Sequence, residues 1–187
     1  MNKLINILCA MVLAGSAAQA QVITENPQVT IHTSKGDIRL ELFADKAPET
    51  VDNFLHYSRD AFYDGTIFHR VISHFMIQGG GMTADLKRKS TREPIHNEAT
   101  NGLSNVRGTI SMARTTDQHS ATAQFFINVE INKNLDHMGT TNSRAWGYAV
   151  FGKVISGLEV VDEIRFVKTN ARDIPLEPVT INSVEIH

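Results

Sequence analysis

Val29-Thr30-Ile31-His32-Thr33 alternates apolar and polar side chains, Ser34-Lys35-Gly36-Asp37 interrupts, and Ile38-Arg39-Leu40-Glu41-Leu42-Phe43 alternates again. Period-2 runs on either side of a turn predict a β-hairpin with one buried face. The period then changes. Val51, Phe54, Leu55 and Ser58 fall on one helical face behind Pro48, which loses no hydrogen bond in a first turn. Pro48 to Arg59 therefore reads as an amphipathic helix. Short strands follow at 66–71, 75–78, 108–113, 124–128 and 149–154. Leu158, Val161, Ile164 and Arg165 mark a second helix behind Ser156-Gly157. In the tail, Val179 and Ile181, then Val184 and Ile186, alternate with a change of parity at Asn182-Ser183, which predicts a bulge. Between Gly79 and Asn105 the chain is polar and irregular, with Lys87-Arg88-Lys89 its basic cluster.

Strands dominate and one helix sits near each end. The expectation is a mainly β fold, a closed antiparallel barrel capped by two helices. The chain shows no internal repeat, low-complexity stretch or linker, so residues 21–187 read as one domain. Its 187 residues suffice for a real core.

The first twenty residues stand apart. Lys3 provides a positive start, Leu4 to Ala14 is apolar except for Asn6, and Ala18-Gln19-Ala20 is a small-x-small cleavage site. This is the pattern of a signal peptide over residues 1–20, with a mature start at Gln21. The apolar run falls short of the ~20 residues that span a bilayer. Cys9, the sole cysteine, leaves with the leader, and a thiol-free mature chain suits an oxidising compartment. The short, simple leader favours the bacterial periplasm. Formal charge is −2, too small for a field that draws the chain to nucleic acid or anionic lipid.

Chemistry concentrates in two runs: Phe68-His69-Arg70-Val71-Ile72-Ser73-His74-Phe75-Met76-Ile77-Gln78-Gly79-Gly80, and Ser111-Met112-Ala113-Arg114 through Gln124-Phe125-Phe126-Ile127-Asn128. The histidines lack the dense ligand spacing of a zinc site, so no metal is expected. Ser73 and Ser111 lie outside any Gly-x-Ser-x-Gly elbow, which disfavours a hydrolase. Gly79-Gly80-Gly81 lacks the spacing of a phosphate loop. Arg70 stays charged at any ordinary pH and emerges among large apolar neighbours. Phe125 and Phe126 on one strand must point opposite ways, which leaves one of them free to line a groove. An apolar groove beside a fixed cation suits a reaction that breaks no covalent bond.

At these residues the sequence resembles the cyclophilins, the peptidyl-prolyl cis–trans isomerase family. The likeness includes the two runs above, Val150-Phe151-Gly152-Lys153-Val154, Gly36-Asp37-Ile38 and Ala47-Pro48-Glu49-Thr50-Val51-Asp52-Asn53-Phe54. It runs in order from about Val29 to the C-terminus. Met112-Ala113-Arg114-Thr115 and Asn134-Leu135-Asp136-His137 are similar to the bacterial secreted branch.

The resemblance implies a closed eight-stranded antiparallel barrel with two capping α-helices, and a groove for proline peptides. Arg70 would be the catalytic cation. Phe75, Met76, Phe126 and Leu135 would hold the proline ring. Gln78, Gln124, Ala113 and Arg114 would contact the peptide backbone, and His69 would support the rim. Tyr148 stands where the family has a pocket histidine, and Asn134 where it often has a tryptophan. Trp146, in a different loop, is not assigned that place. The missing tryptophan is similar to weakly cyclosporin-sensitive members, which bears on inhibitor affinity and not on isomerase activity. The implied partners are proline-containing unfolded or partly folded polypeptides. No cofactor, nucleic acid or membrane association after leader removal is expected, and the chain is expected to be a monomer. The alternative reading is a proline-peptide binding module or chaperone without catalysis.

Overall fold

The computed structural model describes residues 26–187. The expected signal peptide over residues 1–20 and the expected mature start at Gln21 lie outside them. The strands are β1 (Gln28–Thr33), β2 (Gly36–Leu42), β3 (Thr66–Ile67), β4 (Arg70–Ile72), β5 (Met76–Gly79), β6 (Thr109–Met112), β7 (Phe125–Asn128), β8 (Val150–Ser156) and β9 (Thr180–Ile186). The helices are α1 (Pro48–Arg59), α2 (Ser143–Trp146) and α3 (Leu158–Arg165). The strands form one curled sheet in the order β3-β9-β1-β2-β8-β6-β7-β5-β4, every pair antiparallel.

The β1–β2 hairpin forms where the alternation placed it, pairing Ile31 with Ile38 and Val29 with Leu40 on the buried face. The bulge in β9 is also present: His32 opposes Ser183 and Thr33 opposes Ile181, so Asn182 is the extra residue. The sheet has nine strands where eight were expected. The run 66–71, expected as one strand, divides at Phe68-His69. Its first half pairs with β9 and its second with β5, at opposite ends of the strand order. The break falls at Phe68 and His69, both buried, where the chain leaves its pairing with β9 and takes up pairing with β5. A short third helix, α2, was not expected. Asn142 starts it by accepting a hydrogen bond from the Ala145 amide at 2.9 Å, and Gly147 ends it.

α1 packs Phe54 into the barrel against Tyr63, Phe125 and Phe151, with ring centroids 5.1, 5.7 and 5.4 Å apart. Burying each such ring is worth roughly 1.5–3 kcal/mol. Ala47 has no side chain to cap this helix. Glu98 does so from a distant loop, accepting from the amides of Glu49 and Thr50 and from the Thr50 hydroxyl at 3.2, 2.8 and 2.7 Å. A carboxylate at a helix start also meets the positive end of the helix dipole.

Strands β4, β5, β7 and β6 have two faces with different duties. Val71, Ile77, Ile127 and Ile110 lie in register and are buried in the core. The next residues along, Arg70, Gln78, Phe126 and Ser111, also lie in register and face the other way. No described helix is long and apolar enough to cross a membrane.

Candidate active site

The outward row Arg70–Gln78–Phe126 borders a pocket of about 100 Å³, lined by Arg70, Phe75, Met76, Gln78, Ala113, Arg114, Phe126, Leu135 and Tyr148. That is well below the ~300–1,000 Å³ of sites for whole small molecules, so it takes a single side chain. Met76 and Phe126 are almost fully buried and make its apolar base. The ring of Phe126 meets Tyr148 edge-on at 5.6 Å. Phe125, its neighbour, turns inward to the core.

Arg70 stands at the lip, its side chain 45% exposed. Its Nε lies 3.9 Å from Asp173 Oδ2. Asp173 is fixed by its backbone: its carbonyl accepts from the Val71 amide at 2.8 Å, and its φ of 62° is left-handed. The carboxylate therefore steadies the inner end of the guanidinium. Gln78 Nε2 donates to Gln124 Oε1 at 3.0 Å, while the Gln124 carbonyl accepts from the Ala113 amide at 2.9 Å. Gln124 thus stands behind Gln78 rather than in the pocket wall. Gly81 packs against it, and a Cβ there would lie 2.4 Å from Gln124 Cγ.

The far wall is held by a polar network. Asp136 accepts from the Ser104 hydroxyl at 2.5 Å, and from the Asn105 amide and side chain at 2.6 and 3.0 Å. Asn105 Oδ1 accepts from Ser111 and Asn128 at 2.8 and 3.3 Å. Asn132 donates to the Phe75 carbonyl and to Asn128 Oδ1, both at 2.8 Å. The Tyr148 amide donates to the Leu135 carbonyl at 2.9 Å. Phe75, Leu135 and Tyr148, which lie far apart in the chain, are tied together by these bonds.

His69 is placed differently from the rim position expected of it. It is buried outside the pocket lining, its Nδ1 has no hydrogen-bond partner, and burial pushes its pKa down. Its Ile67 backbone contact opposes that shift, and Arg88 and Arg70 add to it. Trp146 is not among the residues that line the pocket. It donates to the Asn97 carbonyl at 3.2 Å and meets His119 edge-on at 4.9 Å. Ser111 spends its hydroxyl on Asn105, and among the described residues no histidine bonds to it. No three His, Asp or Glu side chains among them gather as a metal cage.

Two features escaped the sequence reading. Asp173 had no local signal, since a loop far along the chain brings it beside β4. The asparagine network had a weak one, in Asn105, Asn128 and Asn132 recurring around apolar strands.

The site is an apolar notch sized for one ring, beside the Arg70 guanidinium and the Gln78 amide. The chain belongs to the cyclophilin family of peptidyl-prolyl cis–trans isomerases: residues 28–186 match the family described as cyclophilin type peptidyl-prolyl cis-trans isomerase/CLD. It is an isomerase of Xaa-Pro bonds and binds proline-containing peptides. Peptidyl-prolyl cis-trans isomerase B of Escherichia coli (strain K12) is 56% identical over 162 residues, covering 84% of this chain and 98% of that protein. Peptidyl-prolyl cis-trans isomerase A of Dickeya dadantii (strain 3937) is 49% identical over 191 residues, covering 100% of this chain and 98% of that one. Among solved structures, a Cryptosporidium parvum cyclophilin type isomerase superposes with a TM-score of 0.72 at 28% identity, covering 87% of this chain and 98% of its own. A second structure of that protein was solved in the presence of the dipeptide Ala-Pro.

Proposed function

We propose that Arg70 is the catalytic cation and that the adjoining pocket seats the proline ring. The observation that carries this is the row Arg70–Gln78–Phe126, which sets a charged donor, an amide and an apolar base side by side. Conjugation of the nitrogen lone pair with the carbonyl makes peptide rotation cost ~18–20 kcal/mol. Twisting the bond localises that pair on the prolyl nitrogen. A guanidinium donor aimed there, or at the carbonyl, binds the twisted form more strongly than either planar one, which is what lowers a barrier. Phe75, Met76, Phe126 and Leu135 hold the ring and exclude water. Gln78, backed by Gln124, with Ala113 and Arg114, holds the peptide backbone. Tyr148 completes the wall beside Phe126. The Ala-Pro dipeptide used with the Cryptosporidium parvum relative is the ligand class this arrangement accommodates.

The biological role we assign is assistance to the folding of exported proteins. Uncatalysed isomerisation takes ~10–100 s, slow enough to limit folding. The leader-like residues 1–20 support a periplasmic address, and the mature chain is taken to be a monomer without nucleic-acid or membrane association. We also read Phe68-His69 as a bent link within one strand, which makes the sheet an eight-stranded closed barrel. Exchange NMR on an Ala-Pro peptide tests the assignment of Arg70: cis–trans cross-peaks build up with the protein and weaken sharply with Arg70→Ala. Equal build-up with both proteins removes Arg70 from the mechanism. N-terminal sequencing of exported protein tests the address, with Gln21 the expected first residue.

A further inference from the structure

Beside the proline pocket lies a second, larger cavity of about 620 Å³. Arg114, Leu135 and Tyr148 wall both, so the two form one continuous surface. The outer walls are Thr116, Ser143 and Arg144, from the loop before β7 and from α2. Among the described residues no carboxylate lines it.

Its charge is fixed and unneutralised. Arg114 spends its fork on oxygens of neutral groups: Nε on the Gly147 carbonyl at 3.1 Å, one terminal nitrogen on the Thr115 carbonyl and Ser143 Oγ at 2.9 and 3.0 Å, the other on the Ser143 carbonyl at 2.7 Å. Its guanidinium carbon lies 4.4 Å above the Tyr148 ring. These contacts hold the group still without cancelling its charge. Arg144 is exposed, and among the described residues it has no side-chain hydrogen bond and no ion pair within 4.0 Å. Nearby acids are otherwise engaged. Asp136 is bound inward to Ser104 and Asn105, and Asp117 lies outside the walls, accepting from the His119 amide at 2.9 Å. The cavity is also preformed, because Ser143 Oγ donates to the Thr116 carbonyl and the Met138 amide to the Ala145 carbonyl at 2.8 Å.

We propose that this cavity is a specificity subsite for an acidic side chain flanking the proline, a Glu or Asp of the client polypeptide. Arg144 makes the mobile contact and Arg114 supplies the standing charge. Successive Cα atoms are about 3.8 Å apart, so a residue one or two places from the proline reaches a cavity that shares walls with its pocket. The proposal rests on the neighbouring pocket seating the proline.

The test is turnover of peptide sets carrying Glu, Gln or Lys at each of the two positions before and after proline, at low and high salt. At one flanking position kcat/KM falls in the order Glu, Gln, Lys. Glu exceeds Gln by roughly two- to fivefold, the range of an exposed ion pair. The preference resides in KM and fades with salt, as screening requires. In Arg144→Gln the Glu-to-Gln ratio falls below the wild-type value but stays above one, because Arg114 keeps its charge, and in Arg144→Glu the order shifts towards Lys. Equal rates for Glu and Gln peptides at all four positions overturn the subsite, as does a ratio that stays at the wild-type value in both Arg144 variants. Absence of acceleration for every peptide overturns instead the seating of proline next door.

Discussion

Replacing Arg70 by alanine separates catalysis from stability, because the structure gives that side chain little to do for the fold. It is 45% exposed, and its one ion contact among the described residues, to an equally exposed Asp173, is 3.9 Å long. Such a pair is worth about 0.2–1 kcal/mol after solvent screening. For a domain of this size 1 kcal/mol shifts Tm by about 2–4 °C, so Arg70→Ala melts within about 4 °C of the wild type. Catalysis responds on another scale. Removing a donor that acts in the transition state costs about 10²–10³ in rate, or ~3–4 kcal/mol. The apolar base remains, so the variant still binds an Ala-Pro peptide. The assay is a protease-coupled chromogenic measurement near ~10 °C, where the uncatalysed reaction takes minutes. Arg70→Lys keeps the charge but not the planar fork and falls between the two. Wild-type turnover by a natively melting Arg70→Ala protein would falsify the reasoning.

Three further outcomes follow from the geometry. Gly81→Ala pushes Gln124 away and breaks its bond to Gln78, so KM rises by several-fold while Tm barely moves, because the displaced group is a flexible side chain; an unchanged KM refutes the backing role of Gln124. Asp136→Ala removes the acceptor of three hydrogen bonds, and the loss of even one bond to a charged group, ~1.5–3 kcal/mol, lowers Tm by about 3–12 °C, with a rise in KM; an unaltered melting curve sinks the network argument. Burial holds the His69 pKa below its ordinary 6.5, so the unfolded chain takes up a proton that the folded one refuses. Its contribution is intact above about pH 6.5 and is lost as pH falls below that, by at most about 1.4 kcal/mol per unit. His32, raised chiefly by its hydrogen bond to Asp37, acts in the opposite sense, favouring the fold below 6.5 and losing effect as pH rises through its folded value. His69→Gln therefore flattens the acid side of the stability profile in urea titrations between about pH 7 and 5, and an equally steep profile contradicts this.

What could be read in the sequence was whatever obeyed one period. The β1–β2 hairpin and α1 each bury one face, so their apolar positions repeat at two or at 3.6 and their limits are visible. The division of 66–71 was hidden because Thr66, Ile67, Phe68 and His69 are all buried, and a run buried on every side carries no alternation. α2, at four residues, is too short for a periodic signal, though Asn142 and Gly147 mark its ends. In the pocket, Arg70, Gln78 and Phe126 were legible because strand pairing puts them in one row. Asp173 was not, since its place depends on where a loop leaves the last turn before β9. The burial of His69 was not legible for a related reason: it lies at the bend between β3 and β4, beside Arg70, and not on an alternating strand.

Phe125 and Phe126 stand back to back on β7, one anchoring the interior and the other paving the site. The enzyme consequently has no separate module to lose. Warming cannot loosen the working surface and spare what lies beneath it, so turnover and near-ultraviolet dichroism decay on a single curve, without an inactive yet folded plateau between them.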